Sequence, residues 1–101
     1  MQLTIEQALQ PGLAEHKAGK LQEAERTYRA LLSSQPRHAY ANYNLGLIAI
    51  SVNQIEAALL LFKTALDENP NIEEFWISFI DGLVKNNQVP DAKRAIKKAQ
   101  Q

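Results

Sequence analysis

Few side chains in this sequence could do chemistry, and they are scattered. His16 and His38 are its two histidines, and cysteine is absent. A metal site needs such donors at a fixed helical spacing, as in H-E-x-x-H, and neither histidine has that neighbour. They read as a solvent-facing helix residue and a helix-start residue, and no metal site is expected. Glu73-Glu74 is a carboxylate pair, but two acids in a first helical turn answer to the helix dipole. Gly12, Gly19, Gly46 and Gly82 lie too far apart to form a phosphate-binding loop. Lys93, Arg94, Lys97 and Lys98 are the one local excess of charge. On a helix they share a side, and with no aromatic between them they read as a solvated face rather than a nucleic-acid patch. No catalytic residue and no cofactor is expected.

The elements that would position these groups belong to one small all-α domain. The chain has 101 residues, 46% apolar and 22% charged, with eleven basic residues against eleven acidic ones. That length holds one domain with a modest core. The charge balance gives no diffuse attraction to nucleic acid or an anionic membrane. The N-terminal MQLTIEQALQ lacks the basic start and apolar core of a signal peptide. The apolar run Ala57 to Phe62 is far shorter than a bilayer span. A cytoplasmic location is the expectation.

Three anchors recur at one constant offset: Ala24, Ala58 and Ala92; Tyr28, Phe62 and Ile96; Pro36 and Pro70. Eight matches in one register point to a helical repeat. The expected helices are 5–18, 21–34, 39–52, 55–68, 72–85 and 89–100. Leu60 must turn outward, because Ala58 and Phe62 of the same helix face inward. Beside Leu59 or Leu61 it could mark a small self-association patch.

The spacing resembles the tetratricopeptide repeat, which runs W-x2-L-G-x2-Y, then A-x3-F, then P, with a period that equals the offset between these anchors. Residues 39–72 match best, through Leu45-Gly46, Ala58-x3-Phe62, Ala65 and Pro70. Residues 5–38 supply Gly12, Ala24, Tyr28 and Pro36; residues 73–101, a truncated third repeat, supply Trp76, Phe79, Ala92 and Ala99. The resemblance implies a right-handed α-solenoid of three helix pairs in a single domain spanning 1–101, with the first helix of each pair lining a concave face.

Within that frame Gly46 and Ala58 mark the closest helix approach, with Leu45 and Phe62 filling the space beside them. Pro70 ends a helix, and Asn71 with Glu74 is expected to form a capping box. Gly19 and Asn53 fall where the chain must turn left-handed. Two residues depart from the pattern. Pro11 falls inside the first helix and is expected to kink it or to delay its start. Ile80 replaces the small residue of the close approach, which should widen the third pair's crossing, eased by Gly82.

The resemblance also implies a binding face. In repeat 2 it comprises Tyr40, Tyr43, Asn44, Leu47, Ile50 and Ser51; in repeat 3, Glu74, Ile77, Ser78, Asp81, Val84 and Lys85. Repeat 1 adds Leu9, Gln10, Leu13, His16 and Lys17. Family members that clamp a terminal carboxylate use basic residues and asparagine. Here Asn44 alone matches, with Leu9, Leu13, Glu74 and Ser78 at the other positions, so an acidic C-terminus is not the expected ligand. Asn44 also matches the asparagine with which long arrays of this family in O-linked N-acetylglucosamine transferases contact a peptide backbone; Gln10 and Ser78 are weaker equivalents.

The expected function is therefore a non-enzymatic protein-binding module that takes a peptide or helix in its groove, bacterial in flavour. The run Glu73 to Leu83 resembles N-terminal repeat regions of bacterial glycosyltransferases, sulfotransferases and methyltransferases. The alternatives are accordingly a recruitment arm of a larger enzyme, favoured by an end inside a third repeat, or an oligomerisation unit.

Overall fold

A computed structural model describes residues 5–101, with side chains from Gln7 onward. The first four residues of the stretch read against a signal peptide lie outside that part. Among the described residues six helices follow one another with no strand: α1 (Ile5–Lys17), α2 (Leu21–Ser34), α3 (Ala39–Ser51), α4 (Ile55–Glu68), α5 (Glu73–Lys85) and α6 (Val89–Ala99). They stack into an elongated array of 44 × 27 × 20 Å. Each helix packs on the next in sequence; α1 also meets α3, and α3 meets α5. The backbones of α2, α4 and α6 do not approach one another. The array therefore curves, with α1, α3 and α5 on its inner side and the other three splayed on its outer side.

Small residues set the pairing distances. A Cβ placed on Gly46 would lie 2.5 Å from Cε1 of Phe62, and one on Gly12 would lie 2.7 Å from the ring of Tyr28. Both rings are fully buried, so two close approaches are aromatic on glycine, one repeat apart. The third pair has Ile80 and Ile96 at these positions, a larger residue on α5 matched by a smaller one on α6. Gly82 does not ease this pair, because a Cβ there would meet Leu59 of α4 at 2.9 Å. Its role is to let the third pair dock on the second.

The turns inside the pairs also repeat. Gly19, Asn53 and Asn87 have φ of 80°, 61° and 60°. Glycine takes this left-handed conformation freely and asparagine tolerates it. Asn87 completes the series one repeat after Asn53. Between pairs, α2 and α4 end two residues before Pro36 and Pro70. The next helix then satisfies the proline carbonyl: Asn42 Nδ2 donates to Pro36 O at 3.2 Å, and Trp76 Nε1 donates to Pro70 O at 2.7 Å. Asn42 thus does the work of a tryptophan from the same repeat position.

Neither a delayed start of α1 nor the capping box of α5 is found. Helix α1 runs through Pro11, because burial of Leu9 and the seating of Gly12 on Tyr28 hold the turns on either side of it. The capping box at Asn71 and Glu74 does not form. Helix α5 starts one residue too late for it, with Ile72 at the cap and no side-chain bond there. The equivalent cap in the preceding repeat is His38, whose Nδ1 accepts from Ala41 N at 3.2 Å.

Candidate functional site

The inner face is built from one stripe per helix. On α3, residues 40, 44, 47 and 51 recur at helical spacing and share a side; the same positions on α5 are Glu74, Ser78, Asp81 and Lys85. Tyr40 is exposed along one edge, and its ring meets that of Phe75 edge-on at 5.4 Å. Asn44 is only 8% exposed. Its amide takes no hydrogen bond from the described residues, yet its polar atoms keep contact with the surface. An asparagine buried to that extent normally finds a partner, since leaving an amide unpaired costs about 1–3 kcal/mol. Asn42 and Ser51 of the same helix donate to the carbonyls of His38 and Ile48, whereas Asn44 makes no such bond.

Neighbouring residues hold the stripe in place. Tyr43 turns toward the third pair, where its hydroxyl and that of Ser78 share a hydrogen bond of 2.9 Å. Its ring packs against Phe62 and Phe75, with centroids 5.6 and 4.6 Å apart. Leu47 and Ile50 are half-buried against the cluster of Ala49, Ala58 and Phe62. Asp81 and Lys85 pair with each other at 3.0 Å on the exposed side of α5. Leu13 is partly open on α1.

Two expected members of the face sit elsewhere. Leu9 is 6% exposed and belongs to the core with Tyr28 and Leu45. Ile77 is 57% exposed and lies with Ile80, Ile96 and Ala99 on the end of the array. Ile77 stands one full repeat after Tyr43, which the third pair covers; no described element covers Ile77 in the same way. Val84 repeats Ile50 by the same offset and is also exposed. The inner face is thus a shorter strip around Tyr40, Asn44 and Leu13.

The remaining chemistry-bearing groups stay dispersed. Among the described residues no three histidine, cysteine or acidic side chains gather as a metal site, and no helix is long and apolar enough to cross a membrane. Lys93, Lys97 and Lys98 are exposed on α6, and Arg94 pairs with Asp91 on the same helix.

The splayed outer helices leave grooves that the sequence did not reveal. One of about 590 Å³ lies between α4 and α6, floored by Trp76, Phe79 and Leu83 of α5. A smaller one of about 250 Å³ lies between α2 and α4 over Leu45 and Ile48.

Solved structures of MamA share this architecture. MamA from Desulfovibrio magneticus RS-1 superposes with a TM-score of 0.83 at 20% identity, over 92% of this chain and 52% of that one. MamA MSR-1 gives 0.80 at 21% identity, over 96% of this chain and 56% of that one. The chain thus spans little more than half the length of these proteins, and at such identity the likeness carries the fold alone. A search of curated proteins finds no match, and the transferase resemblance gains no support. The tetratricopeptide repeat model matches residues 10–71, which is more than half of the sequence, and its glycine, aromatic and proline positions coincide with the contacts described above: the chain belongs to the tetratricopeptide repeat family.

Proposed function

We propose that the chain is a non-catalytic protein-interaction module that holds an extended peptide segment along the inner face, with Asn44 reading the peptide backbone. The observation that carries this reading is the amide of Asn44, nearly buried, unpaired and still open to the surface. A carboxamide offers one acceptor and two donors in a plane, which matches the C=O and N–H of a peptide group. Binding would supply the hydrogen bonds that folding leaves unmade. Tyr40 offers an aromatic wall beside it, and Leu13 an apolar contact on the neighbouring helix. Tyr43, Leu47, Ile50 and Ser78 position that surface, while Asp81 and Lys85 form its polar edge.

The test begins with peptides selected from a displayed random library for binding to the purified chain. Asn44→Leu should weaken the selected peptides by about tenfold or more, as loss of one or two hydrogen bonds requires. The same variant should leave stability unchanged or raise it, because an unpaired amide is replaced by an apolar side chain of similar size. Tyr40→Ala should weaken binding to a similar degree. Peptides that bind both variants as tightly as the wild type would refute the inner-face reading.

A further inference from the structure

The groove between α4 and α6 has an apolar floor and a charge pattern along its walls. Leu60, on the α4 wall, is 71% exposed. Glu56 and Lys63 lie one turn before and one turn after it on the same side of α4, about 6 and about 4.5 Å along the axis. Both are exposed, and neither has an ion-pair partner among the described residues. The α6 wall places Lys98 toward the Lys63 end and Asp91 toward the Glu56 end. Asp91 is already engaged by Arg94 and Gln88, so the unpaired charges are Glu56 at one end and, at the other, Lys63 and Lys98 with Asp67 one turn beyond Lys63, which leaves that end net basic. Across its centre, from Glu56 through Leu60 to Lys63, the outer stripe of α4 therefore reads acid, leucine, base, beside a groove that runs from acid to net base in the same direction.

A stripe of that form is complementary to itself when reversed. We infer that the groove between α4 and α6 receives helix α4 of a second copy of this chain, antiparallel, about a two-fold axis near Leu60. A two-fold interface presents one patch to itself. In the antiparallel pairing Glu56 of each copy faces Lys63 and Lys98 of the other, and each Leu60 seats toward the floor formed by Trp76 and Phe79. A parallel arrangement would set like charges against each other, which selects against it. This surface lies on the opposite side of the array from Asn44 and does not depend on the peptide-binding reading.

The experiment is sedimentation velocity on the purified chain from about 1 μM to about 1 mM, which spans weak to moderate affinities. The wild type should rise from 11.3 kDa toward twice that mass. Leu60→Asp should remain helical by circular dichroism and should weaken dimerisation at least tenfold. Glu56→Lys alone and Lys63→Glu alone should each dimerise poorly, because each sets like charges across the axis. Mixed together, these two variants should associate again, since the mixture restores both opposite-charge contacts between the α4 helices. Asn44→Leu should dimerise as the wild type does. A wild type that stays monomeric throughout, a Leu60→Asp variant that dimerises normally, a mixture no better than its components, or loss of the dimer in Asn44→Leu would each overturn the proposal.

Discussion

Replacing Tyr28 by phenylalanine removes one oxygen from the best-buried site of the first helix pair. The ring is fully buried, and its hydroxyl has no hydrogen-bond partner among the described residues. A buried unpaired hydroxyl costs about 1–3 kcal/mol relative to water. The void left by deleting it, roughly 10 Å³, costs about 0.2 kcal/mol at the usual cavity rate. The same repeat position on α4 already carries phenylalanine, Phe62, under Gly46. Tyr28→Phe should therefore stabilise the fold by about 1 kcal/mol or more and raise the melting temperature by at least about 4 °C. A second signature comes from alkaline titration. Burial, with the Glu15 carboxylate adding to it, pushes the Tyr28 phenol from 10.0 up to about 12. Below pH 10 the phenol is protonated in both states and the contribution is whole. Between pH 10 and about 12 the unfolded chain ionises while the folded one does not, so wild-type stability falls, by something on the order of 2 kcal/mol. The variant lacks that loss, and its advantage should widen above pH 10. Urea titrations at pH 7, 9 and 11 measure both effects. A Tyr28→Phe protein less stable than wild type at pH 7, or a gap that does not grow with pH, would refute the reasoning.

Other substitutions probe single contacts. Gly46→Ala sets a methyl group against the immobile ring of Phe62; despite the better helix propensity of alanine it should cost about 1–2 kcal/mol by thermal denaturation. Adding Phe62→Leu should make the pair less harmful than the sum of its parts. His38→Ala removes the α3 cap and should cost about 1 kcal/mol in a urea titration with unchanged slope, while His38→Asn should retain most of it. Pro11→Ala restores a backbone N–H inside α1 at an exposed position and should raise stability by about 1–3 kcal/mol.

The repeat period alone determined most of the architecture, because each helix pair can bury its apolar side only against its neighbours. Alanine, glycine and aromatic residues at fixed offsets leave little freedom in how that is done. Six helices, the outward turn of Leu60 and the left-handed turns at Gly19 and Asn53 were all legible for this reason. The errors arose where a local rule met a tertiary contact. Pro11 disfavours a helix by itself, but packing of Leu9 and Gly12 across it outweighs that preference. Asn71 and Glu74 have the right spacing for a capping box, but the entry of α5 is set by Trp76 reaching back to Pro70. The candidate site divides in the same way. That Asn44 lies on the inner helices follows from its position in the repeat; that its amide is nearly buried yet unpaired depends on which side chains crowd it. Tyr43 and Ile77 occupy one repeat position with opposite fates, because a third pair covers the first and no described element covers the second. The outer grooves follow from the curvature of the stack, a property of how pairs sit on one another, and no single repeat encodes it.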